Sequence, residues 1–177
     1  MMPFACIQYE GLQQKTKEVV CLEREAFLHL AGKYKDTVFR VALNALGSPH
    51  DAEDVVQDTL LRLLQRDTPF ESEAHAKYWL IRVALNLSRN VFRAAWRKHL
   101  PLEELTETPV FDTPEQGELY SQVMALPEKY RTVLYLFYYE GYSAKEIAHL
   151  LGITETAVTT RLQRARQALK SELTEVS

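Results

Sequence analysis

Near the C-terminus of this 177-residue chain, Thr156, Thr159, Thr160, Gln163 and Arg164 fall on one side of a single helical repeat. Hydroxyls, an amide and a guanidinium so arrayed suit hydrogen bonding to phosphates and to base edges in a DNA major groove. A second set lies upstream. Arg82, Asn86, Arg89, Arg93 and Arg97 follow i, i+4, i+7, i+11 and i+15, a line that Lys98 extends and that Phe92 and Trp96 flank. Such a stripe fits a nucleic-acid backbone, and no acid interrupts the run from Lys77 to Lys98. Taken alone, the stripe reads equally well as a solvated charged face. A third set is acidic: Asp54, Gln57 and Asp58 share one exposed side of a helix, bordered by apolar Leu61. No nucleophile is positioned beside these carboxylates and no histidine stands at a useful spacing, so the expectation is binding, with no catalytic residues and no metal.

The elements that must carry these sets are helices. Ser143 and Glu146 form an S-x-x-E capping box, and Ile147, Ala148, Leu150 and Leu151 then supply an apolar face. Gly152 can end that helix and Thr154 can cap the next, in which Val158, Leu162, Ala165 and Leu169 make one buried stripe. This is a helix-turn-helix with a polar outer face. The basic stripe rides on a helix from about Ala76 to Lys98, opposite Leu80, Val83, Leu87 and Val91. A helix from about Glu23 to Leu46 buries Phe27, Leu30, Tyr34, Val38, Val41 and Ala45, and Gly47 ends it. The next helix starts at Asp51, with acids in its first turns where the helix dipole favours them. Residues 67–75, holding Pro69, read as a loop, and Pro127 starts a further helix with Tyr130, Val133, Leu134 and Phe137 inward.

The expected fold class is therefore all-α: two small helical domains joined by an acidic linker, the second with the helix-turn-helix. The expected boundaries are a poorly ordered extension over 1–20, a first domain over 21–100, a linker over 101–114 and a second domain over 115–174. The net charge of −3 conceals a sorting of charge by segment. Six acids and no base occupy residues 102–118, directly after the basic helix. The asymmetry points to a basic working surface and an acidic tether. No apolar run approaches the ~20 residues that span a bilayer. The first residues lack the basic start and apolar core of a signal peptide. Cys6 and Cys21 suggest neither a disulfide framework nor zinc. A cytoplasmic protein without cofactor is the expectation.

The order DAEDVVQDTLLRLL, AKYWLIRVALNLSRN, a tether, then LPEKYRTVLYLFYYEGYSAKEIAHLLGITETAVTTRLQRARQAL resembles an extracytoplasmic-function sigma factor of bacterial RNA polymerase. The resemblance covers roughly residues 25–173. Its specific part is the D-x-x-Q-D helix followed by W-L-x-R-x-A-x-N; the helix-turn-helix alone is common to many regulators. The resemblance implies conserved regions two and four. It implies that Asp54, Gln57 and Asp58, with apolar contact from Leu61 and Leu64, dock on the β′ coiled coil of core RNA polymerase, and that the β flap is a further contact. It places Asn86 and the loop from Phe70 to His75 where flipped bases of the minus-ten element are captured, with Arg82, Arg89, Arg93, Arg97 and Lys98 on phosphates. Stacking in single-strand binders is worth ~1–3 kcal/mol per base. Trp79 reads either as a core aromatic that packs the loop or as a DNA contact, and Trp96 is equally open.

Thr156, Thr159, Thr160, Gln163 and Arg164 are implied as readers of the minus-thirty-five element. The family carries a basic residue at the place of Thr159, whereas this chain reads V-T-T-R. The orientation of Arg161, toward scaffold or DNA, stays open, as does the tether, which is either a nucleic-acid mimic in a polymerase channel or a plain connector. An anti-sigma protein is a further implied partner, and the free chain is expected to be a monomer without membrane insertion. The alternative is a dimeric helix-turn-helix repressor or activator using 21–100 to dimerise, which no feature of the sequence demands.

Overall fold

A computed structural model describes residues 24–98 and 114–175, and side chains within 24–93 and 117–170. The extension over 1–20 and the acids Glu103, Glu104, Glu107 and Asp112 lie outside the described residues. Seven α-helices account for the described elements: α1 Arg24–Leu46, α2 Pro49–Leu64, α3 Glu73–Lys98, α4 Pro114–Ala125, α5 Glu128–Tyr138, α6 Ala144–Leu151 and α7 Glu155–Glu175.

α1 runs until Gly47 takes φ of 75° and its N–H returns to the Leu43 carbonyl at 2.7 Å. The chain reverses within Gly47 and Ser48. The Ser48 hydroxyl accepts from the Asp51 N–H at 3.2 Å, and Pro49 fills a first-turn position where its missing N–H costs nothing. α2 thus starts two residues before the Asp51 expected from sequence. α3 opens earlier too, because the Ser72 hydroxyl caps the His75 N–H at 3.1 Å. The three helices bury Val38, Val41, Leu46, Val55, Leu63, Leu80 and Ile81 among themselves. Ser88 is buried on α3, and its hydroxyl is satisfied by the Ala84 carbonyl of its own helix at 2.9 Å.

The C-terminal group is ordered by its caps. Ser143 and Glu146 form the reciprocal box: the Ser143 hydroxyl accepts from the Glu146 N–H at 3.3 Å, and the Glu146 carboxylate accepts from the Ser143 N–H at 2.8 Å. The Ser143 hydroxyl also donates to the same carboxylate at 2.6 Å, and this bond, followed by the one from the Ser143 N–H, holds the Glu146 carboxyl below the usual carboxylate range. Gly152 takes φ of 63°, and the Ile153 N–H closes α6 on the Ala148 carbonyl. The Thr154 hydroxyl then caps α7 through the Ala157 N–H at 3.1 Å. Ile147, Leu150, Val158, Leu162 and Ala165 bury the seam, with Val133 and Leu136 of α5 beneath.

The linker expected over 101–114 gives way to helix at its last residue, since Pro114 begins α4. The two groups of helices also touch. α1 lies against α5 and α3 against α6, so the buried residues form one contiguous cluster from Leu30 to Ala165.

Candidate nucleic-acid interface

Burying Val158, Leu162 and Ala165 forces the opposite side of α7 outward, where Thr156, Thr159, Gln163 and Arg164 are exposed and Thr160 is half-buried. The Thr160 hydroxyl donates to the Thr156 carbonyl at 2.7 Å, and the Thr159 hydroxyl is shared between the carbonyls of Thr156 and Glu155 at 3.0 and 3.2 Å. With their protons spent on the helix, these hydroxyls offer lone pairs outward. They can accept a further hydrogen bond but have no proton free to donate. Cations stand beside them. An open cleft of about 410 Å³ is lined by Thr156, Thr160, Arg161, Arg164, Lys129 and Tyr130. Arg161 therefore turns toward the polar face. Lys129, from the first turn of α5, escaped the sequence reading because that helix shows only its inward stripe locally; Tyr130, expected inward, is half-buried and reaches the cleft. Arg166 is held on the scaffold, its Nε donating to the Tyr138 hydroxyl at 2.8 Å.

Thr159 stands exposed on the outer side of α7. The variant Thr159→Lys should steepen the salt dependence of promoter binding by the holoenzyme, raising the slope of log K against log salt by ~0.9. A titration of promoter affinity against potassium chloride reads this, and an unchanged slope would remove position 159 from the phosphate path.

On α3, Arg82, Asn86 and Arg93 face solvent, while the side chains of Trp96, Arg97 and Lys98 lie outside the described residues. Arg89 departs from the stripe. It is half-buried, its Nη2 donates to the Leu151 carbonyl at 2.5 Å, and its Nη1 lies 3.5 Å from Asn86 Oδ1. Desolvation, ahead of any nearby charge, draws its guanidinium below the ordinary arginine value.

The loop before α3 is clamped by aromatics. The Phe70 ring meets Trp79 and His75 edge-on, each at 5.6 Å between centroids. The Arg66 guanidinium lies 4.4 Å from the Phe70 centroid and 5.1 Å from that of Trp79. Trp79 thus packs the loop onto α3. Phe70 sits half-buried inside this cluster instead of projecting from it, and His75 is likewise half-buried. Arg66, which the sequence reading did not single out, closes the stack.

On α2 the inward Val55, Val56, Thr59 and Leu63 leave Asp54, Gln57, Asp58, Leu61 and Leu64 outward. Leu61 is 52% and Leu64 41% exposed, two large apolar side chains in water beside two acids. His50, Asp51 and Asp54 bring ligand atoms within 4.8 Å of one another at the start of α2. Exposed acids at a helix N-terminus are ordinary, and this trio implies no metal. Among the described residues no helix is long and apolar enough to cross a membrane.

Comparison with known proteins joins these faces. Residues 30–98 match Sigma-70 region 2 and residues 116–169 match Sigma-70, region 4. The chain is 34% identical over 156 residues to the ECF RNA polymerase sigma factor SigL of Mycobacterium tuberculosis, covering 83% of this chain and 88% of that relative. It is 28% identical over 180 residues to the ECF RNA polymerase sigma factor SigW of Bacillus subtilis, covering 92% and 96%. Its fold is similar to that of the sigma factor RpoE in complex with the anti-sigma factor NepR from Bartonella quintana, with a TM-score of 0.69 and 22% identity over 85% of this chain and 96% of that one. It is also similar to CnrH in complex with the cytosolic domain of CnrY, with a TM-score of 0.58 and 28% identity over 87% and 91%. Sigma factors are regulatory specificity subunits, not catalysts. With both conserved regions in order on an all-α scaffold, this chain belongs to the extracytoplasmic-function sigma factors, and promoter recognition by RNA polymerase is its function.

Proposed function

We propose a division of labour among three faces. The outer side of α2, with Asp54, Gln57, Asp58, Leu61 and Leu64, docks on the β′ coiled coil of core RNA polymerase. Arg82, Asn86 and Arg93 engage the minus-ten element together with Arg97 and Lys98, and the loop from Phe70 to His75 is set for them by the Arg66–Phe70–Trp79 stack. Thr156, Thr159, Thr160, Gln163 and Arg164 read the minus-thirty-five element, with Lys129 and Arg161 on flanking phosphates. Arg89 joins the phosphate contacts once it leaves the Leu151 carbonyl. The β flap and an anti-sigma protein complete the partners, the latter on the precedent of the NepR complex. A cytoplasmic monomer is the state in which these partners meet the free chain.

The observation that carries this reading is α2. A protein that only bound DNA would have no use for exposed Leu61 and Leu64 beside two acids, since that face repels phosphate and wastes apolar surface on water. The test is run-off transcription by purified core enzyme with and without the full chain. The chain should confer initiation at a specific promoter that core alone does not use. Failure to associate with core at low salt, together with no specific transcript, would refute the reading.

A further inference from the structure

Where the chain turns from α2 into α3, the acids are Asp67, Glu71 and Glu73. The fold engages the first and the last. Asp67 accepts from the Thr68 hydroxyl at 3.0 Å; Glu73 accepts from the Tyr34 hydroxyl at 3.0 Å and pairs with Lys33. Glu71 is exposed and has no hydrogen bond or ion pair among the described residues. Its backbone is fixed on both sides all the same. The Phe70 ring is held by Arg66, Trp79 and His75, and the Ser72 hydroxyl caps the His75 N–H at 3.1 Å. Glu71 therefore stands between two anchored residues, with little beyond its own side-chain torsions left to adjust.

The aromatic clamp also sets where that carboxylate lies. His75, Trp79, Arg82 and Asn86 follow i, i+4, i+7 and i+11, so the clamp and the start of the polar stripe share one face of α3. Arg82 comes about 14 Å along the helix axis from Glu73. Glu71 thus heads a stripe that continues in the exposed Arg82, Asn86 and Arg93. An anion in that place opposes phosphate and weakens the part of affinity that is blind to sequence. Its available chemistry lies with bases. An ionised carboxylate only accepts, and a base splayed out of the duplex exposes its Watson–Crick edge.

We infer that Glu71 is a specificity-determining residue, one that selects guanine among the splayed non-template bases and rejects thymine. This rests on the role proposed above for the loop from Phe70 to His75. Guanine presents two neighbouring donors, N1–H and the N2 amino group, which a carboxylate accepts together in the fork geometry it uses with arginine. Cytosine and adenine each set one amino donor beside a ring nitrogen that accepts, so the second carboxylate oxygen meets a lone pair. Thymine flanks its N3–H with two carbonyls and is the worst match. The flanking phosphates stay with Arg82 and Arg93, so cations hold the strand while Glu71 discriminates.

The test uses holoenzyme assembled from the full chain and core enzyme, on the promoter that run-off transcription identifies. A mismatched template strand holds the minus-ten region open, so duplex stability does not enter. At each position the non-template base is set in turn to guanine, adenine, cytosine, thymine and inosine, and affinity is read by fluorescence anisotropy. At one position wild type should favour guanine over thymine by about tenfold or more. Inosine, which lacks the N2 amino group, should bind there about threefold or more weaker than guanine. Glu71→Ala should narrow both differences to about twofold or less. Glu71→Gln, with one donor and one acceptor, should move the preference to adenine. A carboxylate that served only the dipole of α3 would instead lower the unfolding temperature when replaced and leave every base preference as it was. Base profiles unchanged at all positions in both variants would overturn the inference while the proposed function stands. So would a wild-type preference for thymine at the position Glu71 governs. If wild-type holoenzyme neither transcribes nor binds the opened site, the proposed function has failed, and the role of Glu71 falls with it.

Discussion

Replacing Asp54 and Asp58 together by lysine should weaken association with core RNA polymerase by ~100-fold or more while leaving thermal unfolding close to wild type. Both carboxylates are exposed, and among the described residues the close side-chain neighbour is the His50 imidazole, 3.6 Å from Asp54 and itself exposed. Neither supports the fold, so their loss is tolerated by the free chain. At an interface the balance reverses. Leu61 and Leu64 exclude water as they are covered, and within that drier zone each carboxylate facing a cation gains strength. Truncating one partner of such a pair costs 2–5 kcal/mol, about 30-fold to several thousandfold, and reversal adds repulsion. Fluorescence anisotropy of labelled chain titrated with core enzyme reads the loss. Unfolding followed by circular dichroism reads the control. A double variant that still binds core within about threefold of wild type would move the docking surface off α2 altogether.

How far the sequence predicted this arrangement depended on the range of the interaction involved. α6 and α7 were legible nearly to the residue, because Ser143, Glu146, Gly152 and Thr154 act within four positions of the backbone groups they satisfy. The stripe Leu80, Val83 and Leu87 likewise placed α3, since burial with a period of 3.6 is a local signal. Starts governed by a single hydroxyl were less legible. Ser48 and Ser72 moved α2 and α3 toward the N-terminus of where acids and apolar period placed them. Pro114 read as linker, although proline fits a first helical turn as well as it breaks a later one.

The site divided on the same line. The outward residues of α2 and α7 followed from the inward ones by subtraction, whereas Arg89 and Lys129 did not. Arg89 stands in register with Arg82 and Arg93, yet its long side chain is captured by a carbonyl 62 positions away in sequence. Lys129 joins Arg161 and Arg164 only because α5 crosses beneath α7. No period along one helix encodes either contact. The flexible reach of arginine and lysine makes them the residues whose roles a helical wheel assigns least well.

The variant Leu150→Ala should lower stability by ~2–5 kcal/mol, more than removal of any cap in the same unit, for which about 1 kcal/mol is typical. Leu150 is buried to within 2% of full coverage, in a helix of only eight residues. A helix that short does not persist in water by its own hydrogen bonds, so α6 exists because Ile147, Leu150 and Leu151 pack against α5 and α7. Truncation to alanine removes the transfer free energy of the side chain and leaves a cavity that the capped ends of α6 resist closing. Against a total of 5–15 kcal/mol for a domain, the loss is a large share. With m of 1–3 kcal/mol per molar in urea, the midpoint should fall by roughly 0.7 M or more. Because α6 sets the angle at which α7 is presented, contacts to the minus-thirty-five element should fade at temperatures where wild type still protects it from nuclease. A urea midpoint within ~0.3 M of wild type would mean that α6 is held by its caps and by Ile147, and that Leu150 merely fills space.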